Sequence, residues 1–334
     1  MRTSASVTLS ALMLLAVVGT AEAQSMRAGS QSASGQQAFG ATVAVSGGRI
    51  FVGEPANQRS PGFVYAYGRD GSGAWSEIAR LAAPDAQNAD GFGGALAIEG
   101  NTLVTASTSA DGAGAVFVYS ADGGGWSFAQ KISASDAAEG DEFGSSVALA
   151  GDHLLVGAWA ANDSTGAVYA FTRDASGTWT ESGKISGSES VAGDRFGVVL
   201  TMEGDLALVS ATRAEEQVGA VYAFGFSDGA WSELGKLEPR GLEKGDRLGS
   251  GLLIDGETVY ASTERVNRFV GSVYAFRHDA ESGDWNQVAG LQPFDAAQQT
   301  RFGVSLAASD DELWVGAIGS GGFAGSVYRF ARDG

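Results

Sequence analysis

The sequence has no cysteine. That excludes a disulfide framework and any thiolate-ligated zinc site. Histidine is almost absent: His153 and His278 are the two in the chain. Basic residues are scarce as well. Lys and Arg number 21 against 39 Asp and Glu, a net charge of −18. A field of that sign repels a phosphate backbone, so nucleic acid is not an expected partner. After residue 23 there is no apolar run of about 18 residues, so no transmembrane segment is expected in the mature protein. Glycine, by contrast, is abundant. At 50 of 334 residues it is roughly twice its usual share. Glycine supplies the backbone angles of tight turns, so many turns are expected.

The first segment reads as an address. Arg2 is followed by an apolar run over residues 11–18 and by small residues at Ala21 and Ala23. This is the pattern of a secretory leader, with cleavage expected after Ala23 and a secreted or periplasmic destination.

The rest of the chain repeats. Phe39-Gly40, Phe92-Gly93, Phe143-Gly144, Phe196-Gly197, Leu248-Gly249 and Phe302-Gly303 recur at steps of 51 to 54 residues. A Gly-x-Val-aromatic motif recurs in phase at Gly62, Gly114, Gly166, Gly219, Gly271 and Gly325. A Trp follows in five copies, at Trp75, Trp126, Trp179, Trp231 and Trp285. Each copy reads as four short strands, A to D. In the third copy these are residues 143–150, 153–158, 166–173 and 179–185, with a two-residue turn between A and B. Strands B and C are apolar at consecutive positions, which requires cover on both faces. Such units describe propeller blades. The expected fold is all-β: a six-bladed β-propeller of four-stranded antiparallel blades, starting near residues 39, 92, 143, 196, 248 and 302. The sixth copy stops after strand C. Residues 24–28 lie in the phase of a D strand, so a short N-terminal strand is expected to close the ring. Closure of that kind removes an open sheet edge.

Phe-Gly opening each blade, with Val-Gly-Glu-Pro at residues 52–55, resembles the FG-GAP repeat family. The resemblance covers essentially the whole chain after the leader. It implies a non-catalytic binding propeller, of the kind that forms the ligand-binding head of integrin α subunits. Integrin members carry calcium loops of the Asp-x-Asp-x-Asp-Gly type. Here the A–B turns, such as Ala150-Gly151-Asp152 and Glu203-Gly204-Asp205, cannot wrap calcium, which takes six to eight oxygens.

In a propeller the B–C and D–A loops share one face, and here that face is rich in acids. Glu54, Asp163, Glu215 and Glu264 in B–C loops, with the aromatics Trp159 and Phe269, are the expected binding residues. A cleft of one sign attracts cations or basic partners. Asp90, Asp141, Asp194 and Asp246 recur two residues before strand A and are candidate calcium ligands; the alternative is that each caps its own turn. Arg195, Arg247 and Arg301 directly precede strand A, and are expected to pair with nearby carboxylates. No cofactor is required, with calcium as a candidate. No nucleophile elbow or phosphate loop occurs. The expected function is therefore a secreted, non-catalytic adhesion propeller that binds a cell-surface protein or a glycan, and no enzyme. The alternatives are a hydrolase or lyase with carboxylates at the axial channel, or a structural envelope protein.

Overall fold

The structure is a computed structural model that describes residues 39–55, 60–123, 125–295, 297–309 and 311–331. Strand formation follows the repeat. In blade 3, strand A is Phe143–Ala150, strand B His153–Ala158, strand C Ala167–Arg173 and strand D Trp179–Ile185. They pair antiparallel in that order. Five such four-stranded sheets and a sixth of three strands are present among the described residues. Successive A strands touch one another from blade 1 to blade 6, so strand A is innermost and the sheets form a six-bladed propeller. The closing strand expected at residues 24–28, like the leader, lies outside the described residues.

Burial follows position in the blade. Leu154, Leu155 and Val156 of strand B are wholly buried at successive positions, because a neighbouring blade covers each face. Strand D of blade 5, Trp285–Leu291, instead alternates half-buried and exposed at the rim. The apolar layers lie between blades. Val116 and Val118 of blade 2 pack with Phe143, Tyr169 and Phe171 of blade 3 in one cluster. Phe92, Phe143, Phe196 and Phe302, the aromatics of the Phe-Gly motif, are fully buried.

Both sequence markers serve one contact. Gly166, of the Gly-x-Val-aromatic motif, bridges to Phe196 of the next blade. A Cβ on Gly166 would stand 2.0 Å from the Phe196 carbonyl oxygen, and its φ is +86°. Only glycine meets both conditions. The two motifs stay in phase because each forms half of the seam between consecutive blades.

Among the described residues no helix is long and apolar enough to cross a membrane. The B–C loops carry helical turns of four residues or fewer, such as Ala161–Ser164 and Ala214–Gln217.

Candidate functional site

The face formed by the D–A and B–C loops is held by repeated devices that use up much of its acid. Asp90, Asp141, Asp194 and Asp246 each accept, through Oδ2, the backbone N–H three residues earlier, at 2.7 to 2.9 Å. Each thus closes its own D–A turn. Their backbone carbonyls latch the B–C loop of the same blade. Ser109, Ala160 and Arg213 donate N–H to the carbonyls of Asp90, Asp141 and Asp194 at 3.1 to 3.3 Å. Among the described residues no three His, Asp or Glu side chains gather where they could hold a metal ion.

A second device pairs loop acids with the lysine of strand D. Lys131 meets Asp85 and Asp111, Lys184 meets Asp136, and Lys236 meets Glu189 and Glu215, all within 2.8 Å. Burial alone would pull the Lys236 ammonium down. Hydrogen bonds with Glu189 and Glu215 outweigh it and hold the group above its usual range. Glu215, expected to face a ligand, is engaged in this pair. Glu54 is buried and accepts the Tyr65 hydroxyl at 2.6 Å. Burial first, then the bond to Glu54, pushes that phenol up to about 12. Asp163 is exposed, on a backbone with φ of +56°.

The inner rim differs from this pattern. Strand A is innermost, and the residue before the Phe-Gly or Leu-Gly pair lies on the chain's path from the loop face into it. That position holds Gly91, Glu142, Arg195, Arg247 and Arg301 in successive blades, all left-handed, with φ between +53° and +81°. At the three arginines this conformation goes with a shared hydrogen bond. The N–H groups of Arg195, Arg247 and Arg301 reach back to the carbonyls of Ser164, Gln217 and Phe269 in the preceding blade's B–C loop, at 2.8 to 3.0 Å. Left-handed backbone costs a bulky residue roughly 1–2 kcal/mol, and such strain concentrates at functional sites.

The B–C loops bring more guanidinium to the same rim. Arg213 and Arg265 precede the helical turns of blades 4 and 5. The Arg213 N–H bonds the carbonyl of Asp194, directly before Arg195. The Arg265 N–H bonds the Thr263 hydroxyl, which in turn donates to the carbonyl of Asp246, directly before Arg247. Burial, and then the like charges of Arg265, Arg213 and Arg195, push the Arg247 guanidinium down. Arg195 is shifted the same way by burial and Arg213. The aromatics are part of this arrangement. Arg195 lies over Trp159 at 4.0 Å, while Arg265 and Arg301 lie over Phe269 at 5.3 and 5.6 Å. Glu264 stands 3.7 Å from Arg301.

Of the expected binding set, Trp159 lies against Arg195 at the boundary of blades 3 and 4, and Phe269 and Glu264 lie against Arg301 at that of blades 5 and 6, whereas Glu54 and Glu215 are engaged by Tyr65 and Lys236. Of the three rim arginines expected to pair with carboxylates, Arg301 alone forms a salt bridge among the described residues. Arg195 rests on Trp159, and Arg247 donates to the Gln217 side chain at 2.8 Å. Sequence reasoning passed over Arg213, Arg265 and Glu142. The available signal was the position before Phe-Gly, which the phase aligns across all blades. Next to Arg301, a cleft of about 320 Å³ opens between the loops of blade 6, lined by Asp295, Gln299, Thr300 and Ser320 among others.

The FG-GAP repeat family matches residues 75–119, 126–171, 179–224 and 285–330, more than half of the chain. No curated protein matches the sequence. Solved structures share the fold. A protein from Lactobacillus plantarum aligns with a TM-score of 0.61 at 15% identity, over 87% of this chain and 80% of its own. A putative 6-phosphogluconolactonase from Bacteroides uniformis aligns at 0.56 and 16%, over 88% and 86%. The periplasmic gluconolactonase PpgL of Pseudomonas aeruginosa aligns at 0.53 and 16%, over 85% and 86%. At such identity the likeness is one of fold. Two of these three neighbours are nevertheless named as lactonases, and this overturns the expectation of a non-catalytic adhesion propeller and of no enzyme. The repeat markers misled because they report the seams between blades, which a binding propeller and a catalytic one need equally.

Proposed function

This chain belongs to the FG-GAP repeat family, and from that premise we propose that its propeller is a hydrolase that opens lactones at the arginine-bearing end of the axial channel. The observation that carries the reading is the break in repeat symmetry at Glu264, Arg301 and Phe269. A charged pair on an aromatic floor, beside a cleft, replaces the lysine clamps of blades 2, 3 and 4. Structural neighbours named as lactonases support the reaction class.

In the proposed reaction Glu264 takes a proton from water as the oxygen bonds to the lactone carbonyl carbon. Arg301 and Arg265 face the negative charge that develops on the carbonyl oxygen. The ring C–O bond then breaks, and its oxygen leaves as a hydroxyl with the proton from Glu264. One water is consumed, and the product is a hydroxy acid that releases a proton at neutral pH. The leader pattern of residues 1–23 and the periplasmic neighbour support export, with the reaction outside the cytoplasm.

Proton release from a panel of sugar lactones, followed in a pH-stat, tests the proposal. The expected result is hydrolysis above the buffer rate, falling about 100-fold or more in Glu264→Gln. Hydrolysis at the buffer rate for every lactone would overturn it.

A further inference from the structure

Ion pairing is uneven among the cations of the described residues. Lys131, Lys184, Lys236 and Lys244 each pair with at least one carboxylate within 2.8 Å. Arg195, Arg213, Arg247 and Arg265 make no ion pair among the described residues, although Asp and Glu outnumber the basic residues almost two to one. The like charges of Arg265, Arg213 and Arg195 crowd Arg247, and Glu264 offsets them only in part. The Nε atoms of Arg195 and Arg247 are sealed from solvent and have no hydrogen-bond partner. A buried charged donor left without an acceptor is costly. The backbone adds to that cost, since both residues sit at left-handed φ, +63° and +58°. Residues retained under strain, repulsion and unmet hydrogen bonding call for a partner of the opposite charge.

We infer that Arg195, Arg213 and Arg247 form an oxyanion subsite that takes the phosphate group of a small phosphorylated ligand. Three guanidiniums suit a dianionic tetrahedral group better than a single carboxylate, which one guanidinium fork already satisfies. Trp159 carries the Arg195 guanidinium over its ring at 4.0 Å and so presets the fork. Gln217 anchors Arg247 by accepting a hydrogen bond from its guanidinium. The inference rests on the proposed function only in making this phosphate the handle of the substrate. The reacting groups, Glu264 and Arg301, lie at the next blade boundary.

Isothermal titration of the mature protein with inorganic phosphate at low ionic strength tests the subsite without any turnover. Saturable one-to-one binding is expected, weakened about tenfold in Arg247→Gln, with an unchanged melting temperature. Arg213→Gln, at an exposed residue of ordinary backbone conformation, repeats the test should Arg247→Gln fold poorly. No saturable binding, or binding equal in wild type and Arg213→Gln, would overturn the inference. Phosphate binding without hydrolysis of any lactone would leave the subsite standing and sink the hydrolase reading. Hydrolysis of neutral lactones without phosphate binding would do the reverse.

Discussion

The Arg195 guanidinium lies 4.0 Å from the ring centre of Trp159, across the boundary between blades 3 and 4. Trp159 interrupts the repeat, and its contact with Arg195 gives the reason. A large ring in a B–C loop gives an unpaired cation a surface that needs no carboxylate. A cation–π contact is worth about 1 kcal/mol when partly desolvated. Trp159→Ala should therefore weaken phosphate binding about fivefold, through loss of the preset geometry, with the fold retained. Titration calorimetry and circular dichroism on the same samples check this. A weaker phosphate response with an unfolded spectrum would mean that Trp159 is a packing residue only.

Gly166 faces a harder constraint. Gly166→Ala places a Cβ against the Phe196 carbonyl on a left-handed backbone, and should cost about 3 kcal/mol or more. Gly151→Ala is the matched control. That residue has φ of +56° with open space around it, and should cost only about 1 kcal/mol. Urea unfolding of the two variants separates steric closure of the seam from backbone preference.

Asp194 is buried and accepts the Val191 N–H at 2.9 Å. Asp194→Ala leaves that donor without its partner and should cost about 1–2 kcal/mol. If closing the turn is its whole role, calcium and EDTA give the same melting temperature in wild type. A calcium-dependent rise that disappears in Asp194→Ala would restore the metal reading of these loops.

The lysine clamps set the response to acid. The hydrogen bond from Lys184, then that from Tyr169, holds the Asp136 carboxyl below its usual range; Lys131 does the same for Asp85. A carboxyl with a lowered folded-state pKa binds its proton more readily when unfolded. Its stabilisation is therefore present above the unfolded value, about pH 4, and is lost as pH falls through the folded value. Stability should decline below about pH 4, and Lys184→Met should flatten that decline. The carboxylates are more than half exposed, so added salt should shrink the effect. Chemical denaturation between pH 2.5 and 7 reads it (a range chosen to span about 1.5 units below the usual carboxylate pKa).

The fold was legible because its signals are local and repeated. Strands A, B and D of blade 3 begin and end where Phe143-Gly144, the Gly151-Asp152 turn and Trp179 place them. The site was less legible, because it depends on which acids are already in use. Composition counts Asp141 and Glu215 as free negative charge; the structure spends one on a backbone N–H and the other on Lys236. The same blindness hid the arginines. Adjacent acids in sequence suggested ion pairs for Arg195 and Arg247, whereas Arg195 lies over Trp159 and Arg247 donates to Gln217.

The most direct test is the initial rate of hydrolysis of a sugar δ-lactone with and without a terminal phosphate, by wild type and Arg247→Gln. The account predicts that wild type opens both and prefers the phosphorylated lactone by kcat/KM. Arg247→Gln should lose about tenfold on that substrate alone, mainly through KM. Rates no higher than the buffer blank for both lactones in wild type would contradict it.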